Sequence, residues 1–377
     1  MTDPRPAVTT PILPYRSIGK EEREAAVTAM SWPLSGFIGG QERGGYWVRA
    51  LEEAWCKEFG VKNAVACNSA TSGLLAACAA AGVEHGDPVS VPCLTMSASA
   101  AAPALLGAKL HFDDCEDESF GSSGINIAVK CAIVTNLFGH PAQVNEMSRF
   151  MSPARPIIED NAQSPFAIER GRYAGTIGHI GCWSMNVHKH WNSGEGGVCT
   201  TDDADLALKM RHFINHGEMA GDRVGLNLRM TEVTAAIALA QLKKGKRLVQ
   251  DRVEKAEAII DAIGNIAGLR PPVVRPGCTH VYYTIPFLID GGARRRAAFV
   301  QALAAEGVPL VEGYVAPLYR LPAFAKFARP CRVAEDLHDN RLFYFENCAW
   351  DPTLAQIRQI GTAFQKVAAY MRLANDQ

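Results

Sequence analysis

The chain has no G-x-G-x-x-G fingerprint and no G-x-x-x-x-G-K-[ST] loop, so dinucleotide-binding and P-loop readings lose their main support. Neither sign of charge is in excess: 38 Lys and Arg face 39 Asp and Glu, a formal net charge of −1. That balance supplies no global pull toward nucleic acid or an anionic membrane, and neither partner is expected. The 11 cysteines include no C-x-x-C pair and no Cys/His spacing of the zinc type, so no metal centre is expected. Cys67, Cys131 and Cys182 sit in apolar runs, where a free thiol behaves as a small hydrophobe, and a reducing cytoplasm is the simplest setting. Met1 to Pro6 shows no basic cap followed by an apolar run, so no signal peptide is expected. The uncharged stretch from Pro88 to Ala108 carries Pro92, Pro103 and several Ser and Thr residues; it reads as a strand, a loop and a helix rather than a membrane span.

What is present is 377 residues of ordinary globular composition, 48% hydrophobic and 20% charged, enough for about two domains. From about residue 20 to 245, short apolar strands alternate with helical stretches. Ala64–Cys67, Val89–Pro92, Lys109–Asp114, Cys131–Phe138, Pro156–Glu159, Gly181–Met185 and Val198–Thr201 are the expected strands, and Leu74–Gly82 an Ala-rich helix. Such alternation argues for a mostly parallel sheet with helices on both faces, and ligands in such folds sit beyond the carboxyl ends of strands. Past residue 230 the pattern changes to a long helix from Thr231 to Val249, continuing from Val253 to Ile263 after a kink or break. Tyr282–Ile289 (strand), Arg294–Glu306 (helix), Val308–Val311 (strand) and Leu354–Ala374 (helix) follow, suiting a smaller α+β unit. The first dozen residues read as extended.

The chemistry concentrates in the run Ser184-Met185-Asn186-Val187-His188-Lys189-His190-Trp191, which leads into Gly194-Glu195-Gly196-Gly197. Asp160 closes the apolar run Pro156-Ile157-Ile158-Glu159. A lysine to form a Schiff base, a carboxylate to pair with a pyridinium nitrogen and a hydroxyl for a phosphate are what pyridoxal phosphate (PLP) asks of a protein. Asn68-Ser69-Ala70-Thr71-Ser72-Gly73, between a strand and a helix, would let backbone N–H groups approach that phosphate. Taken singly, each has a plainer reading: a solvated lysine, a capping aspartate, an ordinary helix start. Their order and company favour the cofactor. Lys189 must then be neutral part of the time, which burial would favour.

Together these motifs resemble the DegT/DnrJ/EryC1/StrS group of PLP-dependent sugar aminotransferases. The likeness begins at Gly36-Phe37-Ile38-Gly39-Gly40 and includes Ser69-Ala70-Thr71, Asp160-Asn161-Ala162-Gln163, Gly178-His179-Ile180-Gly181-Cys182-Trp183-Ser184, Lys189, Asn215-His216-Gly217 and Gly225-Leu226-Asn227-Leu228-Arg229-Met230. It implies an α/β fold of the type-I aminotransferase kind. A large domain with a seven-stranded, mostly parallel sheet would occupy residues 1–250 and a smaller α+β domain residues 251–377. It also implies a homodimer with shared active sites. By matched position, Lys189 would bear the Schiff base, Asp160 would face the pyridine nitrogen and Gln163 the ring hydroxyl side. Ser69, Ala70, Thr71 and Ser184 would hold the phosphate, with Asn227 of the partner subunit. Tyr314 and Tyr319 fall where the family approaches its sugar, and His188 is a further substrate-side candidate.

The chain departs from the family at Ala70, which replaces a glycine, and at Met96, which stands where an aromatic ring usually covers the cofactor. Ser164-Pro165-Phe166 also replaces a common His-Gly. A dehydratase branch carries histidine at the lysine position; Lys189 here implies amino transfer. The expected reaction moves an amino group from L-glutamate, by way of pyridoxamine phosphate, to a keto sugar linked to a nucleotide. A carbocyclic or other non-nucleotide ketone is the alternative acceptor. A non-catalytic cofactor-binding regulator would bring a DNA-binding element or a lost lysine, and neither is seen.

Overall fold

Nine short strands form early in the chain. They are β1 (Asn63–Cys67), β2 (Pro88–Pro92), β3 (Lys109–Asp113), β4 (Cys131–Thr135), β5 (Ile157–Asp160), the hairpin β6 (Ile168–Glu169) and β7 (Arg172–Tyr173), β8 (Ile180–Ser184) and β9 (Gly197–Thr201). Of these, β1, β4, β8 and β9 in particular carry small and β-branched residues that suit a pleated, buried surface. The computed structural model describes residues 5–36, 43–218, 221 and 224–371; residues 37–40 of the first family motif lie outside the described residues. Seven strands make one sheet in the order β1-β9-β8-β5-β4-β2-β3, parallel except for β9, which runs against both its neighbours.

Both faces of this sheet are covered, so β4, β5, β8 and β9 are buried at every position rather than alternately. In β4, Cys131 and Ile133 join one core cluster while Ala132 and Val134 join another on the opposite face. The covering helices are α1 (Lys20–Ala29), α2 (Tyr46–Phe59), α3 (Ala70–Ala80), α4 (Ala98–Leu105), the single turn α5 (Val144–Met147) and α6 (Ala204–Ile214). Side chains set where they start: the Ser69 hydroxyl accepts from the Ser72 amide at α3, and the Asp203 carboxylate from the Asp205 and Leu206 amides at α6.

Then comes α7 (Glu232–Ile263), 32 residues long and packed on α1 and α2. Beyond it lie β10 (Leu269–Arg270), β11 (Ile285–Ile289), α8 (Gly292–Ala305), β12 (Leu310–Glu312), α9 (Arg332–Asp336), β13 (Leu342–Phe345) and α10 (Leu354–Tyr370). The strands of this second part form an antiparallel sheet, β10-β11-β13-β12, cored by Phe287, Phe299, Phe343 and Phe364. Among the described residues no helix is long and apolar enough to cross a membrane.

Two expectations change. The break near residue 250 is absent: α7 runs unbroken from Glu232 to Ile263, and Arg252 within it is built into the interior. Arg252 is fully buried, its guanidinium 2.7 Å from the Asp351 carboxylate, 3.1 Å from the Trp350 carbonyl oxygen and 4.1 Å from the Tyr15 ring centre. The strand expected from Tyr282 begins only at Ile285. Tyr282 instead has φ of 48°, its amide donates to His280 Nδ1 at 2.9 Å, and its ring stacks on His280.

Candidate active site

Parallel strands end on one edge, and the sequence candidates gather there. Strands β2, β4, β5 and β8 stop at Pro92, Thr135, Asp160 and Ser184. Within β5 the side chains alternate. Glu159 turns to one face, where its carboxylate accepts from the amides of Gly175, Ile177 and Gly178 at 2.6–2.7 Å. Asp160 therefore turns to the other. Its Oδ2 accepts from the Ser99 hydroxyl at 2.6 Å and its Oδ1 from the Ala162 amide at 3.2 Å. Thr95 extends this chain of hydroxyls, lying 3.2 Å from Ser99 Oγ and 3.1 Å from Thr135 Oγ1. Burial raises the Asp160 carboxyl above its ordinary range, against the lowering effects of Ser99, the Ala162 amide and Lys189.

Lys189 is carried on the loop after β8, and the glycine-rich turn folds back to close that loop. The Met185 amide donates to the Gly196 carbonyl and the Val187 amide to that of Gly194, both at 2.9 Å. Gly194 has φ of 85°, a conformation a side chain would strain. The half-buried Lys189 places Nζ 4.4 Å from the centre of the Tyr283 ring. Burial lowers its amine from 10.5 to about 8, although the charges of Asp160 and Cys348 favour the ammonium. Its neighbours differ sharply. His190 is buried, with Nε2 2.7 Å from the Val281 carbonyl oxygen, and its own carbonyl accepts from the Tyr15 hydroxyl. His188 is exposed, its amide donating to Asn186 Oδ1.

Gly197 joins two further candidates. It pairs with Cys67 at the end of β1 and with Ser184 at the end of β8. A Cβ on Gly197 would come within 2.6 Å of the Ala70 nitrogen, so the start of α3 lies directly against this strand. Ser69, Ala70 and Thr71 thus stand beside Ser184, with first-turn amides that have no intrahelical acceptor. The residues fit a phosphorylated pyridine aldehyde: a helix start for an anion, a buried carboxylate and an amine depressed toward neutrality.

The remaining candidates spread out. Gln163 Oε1 accepts from the Phe138 amide at 2.7 Å, and its Nε2 lies 2.8 Å from the Tyr314 hydroxyl, so those two come together. Met96 is 55% exposed, in the turn that also holds Ser99. Asn227 is exposed, next to Leu228, whose carbonyl accepts from the Asn68 amide. Tyr319 is buried in its own network, donating to Glu335 Oε1 at 2.6 Å and accepting from the Cys331 amide at 3.1 Å. Sequence reasoning missed Ser99, Thr95 and Tyr283, because nothing local marks a helical serine or an aromatic in a β-rich run as site residues.

This arrangement defines the class. The structure is similar to that of an aminotransferase from Psychrobacter cryohalolentis, with a TM-score of 0.83 and 25% identity, covering 97% of this chain and 100% of that one. The DegT/DnrJ/EryC1/StrS aminotransferase family matches residues 23–344, and the chain belongs to that family of PLP-dependent aminotransferases. It is 32% identical over 309 residues to the UDP-N-acetyl-3-dehydro-alpha-D-glucosamine 3-aminotransferase of Acidithiobacillus ferrooxidans, covering 78% of this chain and 82% of that protein. It is 30% identical to the L-glutamine:2-deoxy-scyllo-inosose aminotransferase of Streptomyces kanamyceticus, covering 88% of this chain and 87% of that protein.

Proposed function

We propose that the chain moves an amino group from an amino-acid donor, L-glutamate, to the ketone of a nucleotide-linked sugar. The observation that carries this reading is the pairing, at one strand edge, of the buried Asp160 with an amine lowered to about 8 at Lys189. Bound PLP supplies an electron sink. Lys189 would hold the cofactor through its aldehyde, and its Nζ is the group that would take up and return a proton there. Asp160 would keep the pyridine nitrogen protonated, and the Ser99 hydroxyl keeps Asp160 in place. Ser69, Ala70, Thr71 and Ser184 would hold the phosphate, Gln163 would brace the ring hydroxyl side, and Met96 would cover a ring face. Tyr314, Tyr319 and His188 are the substrate-side candidates.

The same reading includes a homodimer, in which Asn227 of the partner subunit closes the phosphate site, and two domains meeting at residue 250. The free state of all 11 cysteines supports a cytoplasmic setting. A carbocyclic ketone is the second acceptor, favoured by the long match to the scyllo-inosose enzyme. Purified protein loaded with PLP and mixed with glutamate should change its cofactor absorbance, and a panel of ketones with and without nucleotide then separates the acceptors. Full turnover by Lys189→Ala would overturn the assignment.

A further inference from the structure

Three metal-competent side chains from distant parts of the chain converge outside this site. Cys93 follows β2, Asp114 follows β3 and Cys331 precedes α9. The two sulfur atoms and a carboxylate oxygen all lie within 4.8 Å of one another. Both cysteines are buried, at 0% and 2% exposure, whereas Asp114 is half-buried and opens the cluster to solvent.

The backbone around them is fixed. The Cys93 amide donates to the Asp113 carbonyl at 3.0 Å, and the Cys93 carbonyl accepts from the Leu318 amide at 2.9 Å. The Asp114 carboxylate is oriented by amides: Oδ1 accepts from Cys115 at 2.9 Å and Ala334 at 3.0 Å, and Oδ2 from Val333 at 3.0 Å. A carboxylate has about four lone-pair sites, so these three donors leave one on Oδ2. Outer hydrogen bonds of this kind are what hold a metal-ligating carboxylate in place.

We propose that Cys93, Cys331 and Asp114 form a binding site for a thiophilic divalent cation, zinc above all. Zinc–sulfur bonds of about 2.3 Å put two thiolates at most about 4.6 Å apart, so the cluster closes on the ion with small movements. Each thiol gives up its proton to solvent, two per ion, and the ion takes the two electron pairs so released together with one from the carboxylate. Three protein ligands leave the fourth position to water. Bound there, the ion clamps the segment from Leu318 to α9, which carries Tyr319, onto the end of β2. Local Cys/His spacing carries no sign of such a site because each ligand comes from a different element.

The test uses the reduced, PLP-loaded full chain equilibrated with zinc chloride, freed of excess by gel filtration and assayed for zinc per chain by mass spectrometry. About one equivalent is expected, with affinity at least about tenfold weaker in Cys93→Ser, Cys331→Ser and Asp114→Asn but unchanged in Cys56→Ser. Cobalt in place of zinc should show thiolate-to-metal charge-transfer absorption that the two serine variants lose. The unmutated chain gives an answer that does not depend on variants folding: zinc should slow alkylation of Cys93 and Cys331 by at least about tenfold. Absence of retained zinc, equal retention by both serine variants, or unprotected alkylation overturns the proposal. So does a Cys93–Cys331 disulfide whose reduction yields no zinc binding.

Discussion

At pH 7 a lysine of ordinary value 10.5 is neutral in about three molecules in ten thousand, whereas one lowered to about 8 is neutral in roughly one in ten. The gain in free nucleophile is about 300-fold, and it should be visible before any turnover. Cofactor-free protein mixed with PLP in a stopped-flow instrument should capture it at a rate that rises with pH along a titration centred at about 8. Asp160→Asn is the informative perturbation. The Asp160 charge favours the Lys189 ammonium, so its removal should move the midpoint further down. Turnover should fall at the same time, because the pyridine nitrogen loses its partner. The same depression has a stability consequence with a definite sign. Between about 8 and 10.5 the folded chain binds fewer protons at Lys189 than the unfolded chain, so this group's contribution to stability improves as pH rises through that window. A capture midpoint near 10.5 in the native protein, or an upward shift in Asp160→Asn, would refute the reasoning.

Ser99→Ala removes the 2.6 Å bond to Asp160; a charged hydrogen bond is worth about 1.5–3 kcal/mol, so kcat should drop roughly tenfold to a hundredfold, and an unchanged kcat in steady-state assays would count against the positioning role. Gly197→Ala drives a methyl against the Ala70 backbone and should weaken PLP binding on the order of tenfold or more in a fluorescence titration, with equal affinity sinking the idea. Glu52, itself buried, lies 3.0 Å from Arg211 and accepts from the Ala66 amide at 2.9 Å, so its replacement by alanine leaves the half-buried Arg211 cation without its carboxylate. Urea denaturation of Glu52→Ala should show a loss of about 3–5 kcal/mol, and near-native stability would mean that solvent reaches Arg211.

The parts of the site that could be read in the sequence are those written locally. Asp160 and Ser184 each end an apolar run, and Lys189 precedes a glycine cluster, so strand ends and their chemistry appear together in a short window. The same holds for the sheet: apolar runs separated by helical segments carry the parallel pattern, and the observed strands differ mainly at their ends. Ser99 and Tyr283 reach Asp160 and Lys189 through long-range packing that leaves no periodic trace. Tyr319 illustrates the converse, since its position suggested substrate while its hydroxyl is engaged by Glu335 and Cys331. Arg252 is illegible for the same reason, as a charge in sequence marks an interior only once Asp351 and Tyr15 are in place.

The unbroken α7 also has mechanical meaning. At 32 residues it is about 48 Å long, and it packs on α1 and α2 toward one end and on α10 at the other. A straight helix of that length acts as a lever: a tilt of roughly 5° at its N-terminus carries the far end by about 4 Å. Any closing movement over a substrate must then rotate α7 with its load or bend the chain beyond Ile263, where Gly264 and Gly268 adopt φ of 65° and 75°.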